Sequence, residues 1–300
     1  MKRSVWLIGF IVCAAVLAVV CLTGAVSGGR NVHSSESGII ISNYDQIISA
    51  LRGGLRNHSR EITIRFETKS ERMDGIEILV AELVEEALAE TGDPKEGDYI
   101  RYQYGGYELR YSQSGTEDGY AYQARIIPNY YTYMSEEAEV DERVAEIIED
   151  FGFDRQTTEY EKLRTIYDYV VQNVSYDDVH KNKENNHKKT TAYSALVYHT
   201  AVCQGYSVLV YRLCREAGVD VRVVTGTVRR GETEEYHAWN IVAIDGVYYN
   251  LDATLGHADS SEDYFLLCDA TMSDRVREEQ YCSEEFYDRY PMAEEDYPQR

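Results

Sequence analysis

The dipeptide Asp245-Gly246 constrains the fold of this chain more than any other feature. It separates two strand-like runs, Tyr236–Ile244 and Val247–Thr254. Asp-Gly between such runs is a strong signal for a two-residue hairpin turn. With Ile244 facing Val247, Trp239 lies opposite Asp252 and His237 opposite Thr254. His237 and Asp252 become diagonal neighbours on one sheet face, roughly 7–8 Å apart between backbones and within side-chain reach. A slip of one residue would put them on opposite faces. The hairpin therefore turns a His–Asp contact into a geometric expectation.

A third reactive residue stands upstream. Cys203 occurs in Ala-Val-Cys-Gln-Gly-Tyr-Ser, and the apolar residues Tyr206, Leu209, Val210, Leu213, Cys214 and Ala217 follow at spacings of three and four. That pattern predicts a helix burying one stripe, with Gly218 as its stop and Asp220–Val224 as the next strand. Cys203 sits in the first turn, where unpaired amides and the positive end of the helix dipole favour a thiolate and could donate to an oxyanion. A thiol acts as a nucleophile only as thiolate, so it needs a base, and the base needs an orienting acceptor. Cys203, His237 and Asp252 supply these three parts. A buried small hydrophobe is the ordinary role of a helical cysteine, and that is the reading of Cys214.

The same stretch resembles the transglutaminase-like superfamily, a branch of the papain-like cysteine fold, between about Thr191 and Met272. The matching pieces are Ala-Tyr-Ser-Ala-Leu, Ala-Val-Cys-Gln-Gly-Tyr-Ser, Val-Thr-Gly, His-Ala-Trp-Asn-Ile-Val, Asp-Gly-Val-Tyr-Tyr-Asn-Leu-Asp-Ala-Thr and Asp-Tyr-Phe-Leu-Leu. In order and spacing they are similar to bacterial extracytoplasmic members. The resemblance implies Cys203 as nucleophile, His237 as base and Asp252 as orienting acid. It implies an α+β fold with a papain-like or transglutaminase-like core, in which a helix bearing the cysteine packs on an antiparallel sheet bearing the histidine and aspartate. It further implies a thioester acyl-enzyme formed on carboxamide or peptide carbonyls, with transfer to an amine or to water. A cysteine peptidase of the same fold and a non-catalytic cell-surface binding module are the alternatives. Two positions depart from the pattern: Leu255 stands where many relatives carry Trp, and Arg275-Val276 stand near a position where relatives carry His. Tyr193 reads as packing or as an aid in polarising a carbonyl. Trp239 reads as core or groove wall, and His199 and His257 as surface or loop residues without a partner.

Composition sets limits on partners. Fifty-two acidic against 30 basic side chains give a formal charge of −22, which argues against binding a phosphate backbone or an anionic lipid surface. Protein or peptide substrates fit, including cell-surface or cell-wall peptides. There is no Cys-x-x-Cys, His-rich or Ca²⁺-loop spacing and no Gly-rich phosphate loop, so no metal and no organic cofactor is expected. At the N-terminus, Lys2-Arg3 precede an uncharged apolar run from Ser4 to about Gly29. Its length and flanking charge suit a single membrane anchor or a signal peptide, with the C-terminal part extracytoplasmic. In that compartment Cys268 and Cys282 are candidates for a disulfide, although four exported cysteines are too few for a disulfide scaffold.

The expected organisation is an N-terminal anchor or signal peptide over residues 1–30, an α+β region over 39–134, linking helices over 135–176 and the transglutaminase-like domain over 177–290. In the α+β region the patterns predict helices at Asn43–Leu55 and Gly75–Glu90 and strands at Glu61–Glu67, Tyr99–Ser112 and Tyr120–Asn129. Glu136–Phe151 and Thr158–Val174 read as amphipathic helices, and Lys181–Lys189 as a mobile loop.

Overall fold

The computed structural model describes residues 43–68, 75–117, 119–178, 187–258 and 264–298, together with the strand segments 3–5, 33–34 and 40–41. The chain forms two compact units. The first comprises Met1–Ala89 and Tyr104–Tyr130, the second Glu90–Gln103 and Tyr131–Arg300.

In the first unit, β1 (Arg3–Val5), β4 (Ile62–Thr68), β5 (Tyr104–Thr116) and β6 (Gly119–Tyr130) form an antiparallel sheet in the order β1-β5-β6-β4, while β2 (His33–Ser34) pairs with β3 (Ile40–Ile41). Ile62, Ile64 and Phe66 alternate inward along β4. Ile47, Ile48, Leu51 and Leu55 form the buried stripe of α1 (Tyr44–Arg56), which packs on β4 and on α2 (Ile76–Ala87). These are the period-2 and period-3.6 patterns read from the sequence. The predicted anchor, Ser4–Gly29, lies outside the described residues except for Ser4 and Val5, which belong to β1. Among the described residues no helix is long and apolar enough to cross a membrane.

One predicted strand begins too early. Residues 98–101 form a single-turn helix, α3 (Asp98–Arg101), within the second unit. The cause is Asp98, whose fully buried carboxylate accepts hydrogen bonds from Arg222 Nε at 2.7 Å, Arg222 Nη2 at 3.1 Å and Val223 N at 2.8 Å. A buried carboxylate needs such a complete donor set, and meeting it overrides the strand pattern of the Tyr-rich segment.

After α3, the second unit continues with α4 (Met134–Phe151) and α5 (Glu159–Asn173). The α5 N-terminus is fixed by a capping box: Thr158 Oγ1 accepts from Glu161 N, and Glu161 Oε2 accepts from Thr158 N. The short parallel pair β7 (Ser175–Tyr176) and β8 (Thr200–Ala201) brackets α6 (Ala192–Val197). Within the predicted loop Lys181–Lys189, residues 181–186 lie outside the described residues, and His187–Thr190 form a 3₁₀ turn. Next comes α7 (Cys203–Glu216), buried along nearly its whole circumference.

The α7 helix packs on a five-stranded antiparallel sheet ordered β12-β11-β10-β9-β13, built from β9 (Val221–Arg230), β10 (Thr233–Ile244), β11 (Val247–Leu251), β12 (Phe265–Leu267) and β13 (Arg275–Arg277). A helix bearing Cys203 on an antiparallel sheet bearing His237 is the α+β core anticipated from the sequence. The sheet is buried on both faces. Val221, Val223, Val242, Ile244 and Leu251 join the α7 core, while Val224, Trp239, Ile241 and Tyr248 pack with Tyr281, Phe286 and Tyr290 around α9 (Glu284–Arg289). Asn240 ties the layers together by donating from Nδ2 to Ser207 O at 3.0 Å and to Arg222 O at 3.2 Å.

Two glycines of the sequence motifs are dictated by close approach. A Cβ on Gly205 would stand 2.7 Å from Lys189 O, and one on Gly226 would stand 2.0 Å from Val276 O. Gly226 thus admits β13 to the sheet edge, directly beside the strand position paired with His237. Gly226→Ala is expected to displace β13 and lower stability by about 2 kcal/mol, the usual cost of overpacking. Gly115→Ala, which meets nothing within 4 Å, is expected to change stability little. Thermal or urea unfolding of the two variants checks this.

Candidate active site

The Asp245-Gly246 turn sets the hairpin as expected: Ile244 pairs with Val247, and the ladder runs to Asn240 opposite Leu251. Asp245 takes φ 53° and Gly246 φ 80°, the pair of left-handed positions that a tight hairpin turn requires. This register brings His237 and Asp252 together, with His237 Nε2 2.7 Å from Asp252 Oδ2. Both side chains are buried, and His237 stacks on Trp239 with ring centroids 6.1 Å apart.

The second strand, however, is shorter than predicted. It ends at Leu251, and Thr254 belongs to α8 (Ala253–Ala258), so the ladder pair His237–Thr254 does not form. Asp252 is the reason. Its Oδ1 accepts from Thr254 N at 3.0 Å and Leu255 N at 3.3 Å, so the carboxylate caps the first turn of a helix. Leu255, the position that departs from the family pattern, is buried there and contributes its amide to that cap.

Cys203 is the first residue of α7, preceded by Val202 as N-cap, and is buried. Its thiol lies close enough to His237 to favour the charged imidazole. With Nε2 committed to Asp252, Nδ1 is the nitrogen left for sulfur. Burial opposes the charged imidazole, but the charge and hydrogen bond of Asp252, then the thiol, push His237 up to about 10. Burial likewise opposes ionisation of Asp252. The His237 charge and hydrogen bond, followed by the Arg275 guanidinium and the helix amides, nevertheless hold this carboxyl below its ordinary value.

A second polar network adjoins Cys203, His237 and Asp252. Trp239 Nε1 donates to Asn250 Oδ1 at 3.0 Å, and Asn250 Nδ2 donates to Leu267 O and to Asp269 Oδ1. Arg277 joins it, with Nη2 2.9 Å from Asn250 Oδ1 and 2.6 Å from Asp269 Oδ1. Trp239 is therefore both core and a hydrogen-bonded support for the histidine stacked on it.

The remaining expectations resolve one by one. Tyr193 turns its hydroxyl to Glu139 at 3.3 Å and packs edge-on against Tyr198. His199 does have a partner, the Asn173 carbonyl at 3.1 Å. The side chain of His257 lies outside the described residues. Cys214 is an inert core thiol pushed up to about 12 by burial. Cys268 and Cys282 are free, the former buried beside Thr271, the latter exposed with its sulfur on Arg277 O, so this candidate pair is not joined.

Residues 150–253 match the family model described as the transglutaminase-like superfamily. This region is a transglutaminase-like domain. The matched segment contains Cys203, His237 and Asp252 and ends before β13. Over 135 residues the chain is 26% identical to kyphoscoliosis peptidase of Homo sapiens, covering 42% of this chain and 20% of that protein. For kyphoscoliosis peptidase of Mus musculus the identity is 29% over 107 residues, covering 33% and 16%. The chain thus spans a fifth or less of the length of these curated relatives. Among solved structures, the crystal structure of a TGase aligns over 48% of this chain and 43% of that chain, with 19% identity and a TM-score of 0.34.

The transglutaminase-like motifs are legible in the sequence, whereas the places of Asn250, Asp269, Arg275 and Arg277 beside them are not. A signal for the charges alone is present in Arg275-Val276-Arg277, an alternating pattern that sends two charges to one face of a strand. Two such charges in a buried sheet require carboxylates, and Asp252 and Asp269 meet them.

The raised imidazole fixes the sign of a pH effect. A histidine held at about 10 when folded contributes its full stabilisation below about pH 6.5 and loses it as the pH rises towards 10. Asp252, held low, contributes above the ordinary carboxyl range and loses that contribution as the pH falls through its folded value. His237→Asn is therefore expected to flatten the decline of melting temperature between pH 7 and 10 relative to the parent chain, as measured by thermal unfolding.

Proposed function

We propose that this chain is a cysteine enzyme of the acyl-transfer type, with Cys203 as nucleophile, His237 as base and acid, and Asp252 as the residue orienting the imidazole. The observation that carries this reading is the His237 ring held between the Asp252 carboxylate at 2.7 Å and the Cys203 thiol at the N-terminus of α7. The sulfur attacks a carboxamide or peptide carbonyl carbon as thiolate, and the C–N bond breaks. His237 delivers its proton to the departing ammonia or amine. The thioester is then resolved by an amine or by water, which returns its proton through His237. The amide of Cys203 is one oxyanion donor. Protein or peptide side chains and ends are the substrates that suit this chemistry. The N-terminal Lys2-Arg3 and apolar run support an exported, membrane-anchored protein acting on cell-surface or cell-wall peptides.

A second reading within the same chemistry is peptide hydrolysis, favoured by the similarity to kyphoscoliosis peptidase. Incorporation of an added primary amine into an acceptor protein supports transfer. New amino termini without amine incorporation support the peptidase.

The test common to both is iodoacetamide labelling of Cys203, followed from pH 5 to 9 in the parent chain and in His237→Ala. Labelling at pH 6 is expected to be roughly tenfold or more slower in the variant, because the imidazole is the partner that activates the sulfur. Equal rates would leave a buried, unreactive thiol and point to a non-catalytic binding module.

A further inference from the structure

Outside the Cys–His–Asp series, the most unusual buried charge in the second unit is Arg275. Its side chain is only 2% exposed, yet it lies on β13 at the sheet edge and reaches past β9 and β10 to the end of β11. Its Nη2 stands 3.0 Å from Asp252 Oδ2, the oxygen that also receives His237 Nε2. The guanidinium is enclosed by Trp239, 5.7 Å from the ring centroid, and Tyr264, 5.4 Å away. Asp274 contributes the other acidic contact, 3.5 Å from Nη1. None of its three nitrogens makes a well-formed hydrogen bond. Its binding partner is thus charge rather than a directed bond, and the charge is that of the triad carboxylate.

A buried arginine beyond the family-matched segment, sharing one oxygen with the triad histidine, is more than a packing element. We propose that Arg275 is a positioning residue for Asp252: it holds Oδ2 in line with His237 and divides that oxygen's charge between two cations. This inference rests on the proposed cysteine chemistry for its meaning but not for its measurement. Four groups face the imidazole and its acceptor: the Cys203 thiol from α7, Asp252 from the end of β11, Arg275 from β13 and, behind Arg275, Asp274. Without Arg275, Asp252 would serve the imidazolium alone and bind its proton too tightly for release to a leaving group. With Arg275 present, a second positive charge disfavours the imidazolium, while the four contacts to its two oxygens keep Asp252 ionised.

The test is to follow the His237 imidazole by NMR in the full chain, comparing the parent with Arg275→Gln and Arg275→Lys and assigning the resonance by its loss in His237→Asn. In Arg275→Gln the His237 titration is expected to move up by about one pH unit or more, the size of a neighbouring-charge effect. In Arg275→Lys, which keeps the charge, it is expected to stay within a few tenths of the parent value. An unmoved titration in folded Arg275→Gln overturns the proposal. Should the glutamine variant fail to fold, Arg275→Lys decides instead: a titration displaced upwards as far as one unit, despite the retained charge, overturns it, whereas an unchanged one supports it. The alkaline limb of Cys203 labelling separates the two readings. In Arg275→Gln, a shifted imidazole with an unreactive thiol in the parent chain leaves Arg275 as proposed and removes the enzyme, whereas a reactive thiol with an unshifted imidazole keeps the enzyme and removes the role of Arg275.

Discussion

The Asp252 carboxylate is the point on which the site depends. One oxygen faces His237 and Arg275, and the other caps the helix that follows the hairpin. Burying a carboxylate is costly unless its lone pairs are met by donors and its charge by counter-charge, and here the contacts come from three different elements. The strand end supplies the backbone, β10 the imidazole, β13 the guanidinium and α8 the amides. Holding this one group ionised therefore requires the hairpin register, the edge strand and the helix start to form together. The imidazole inherits its orientation from that arrangement, and the thiol at the start of α7 completes it.

Support extends outward in a second layer with the same logic. Trp239 is stacked on His237 and anchored through Asn250, which is itself held by Asp269 and Arg277. On the other side of the sheet, Asn240 binds β10 to α7 through Ser207. The His-Ala-Trp-Asn motif thus has a reason at each position. His237 serves the site, Ala238 is fully buried where the layers close, Trp239 supports the ring and Asn240 fixes the helix bearing Cys203. Gly226, across the ladder from His237, is small because the backbone of β13 occupies the space a Cβ would take.

How much of this was legible in the sequence depended on the range of the interaction. Asp245-Gly246 settled the hairpin register because two residues fix a tight turn, and a period of two then fixes every pair. The spacing of Tyr206, Leu209, Val210 and Leu213 revealed α7 because helical burial repeats within a few residues. The strand was carried too far, to Thr254, because its alternation of apolar residues masked the capping role of Asp252. The segment at Asp98 was misread because its conformation answers to Arg222 and Val223, far along the chain. Arg275 is visible in the sequence as a departure from the family pattern, but its partner is not, for the same reason: only the sheet order brings β13 to Asp252. Local periodicity carries the elements, and the charges that join them are written at long range.

The most direct test of the central claim is to look for the covalent intermediate. The chain would be mixed with an activated acyl substrate such as a peptide thioester or aryl ester, quenched in acid within seconds and digested. The fragment containing Cys203 would then be read by mass spectrometry. The account predicts an acyl adduct on Cys203 that is released by hydroxylamine and is absent in the folded variant Cys203→Ser. A Cys203 fragment of unmodified mass under conditions where the parent chain is folded and its thiol reduced would contradict it.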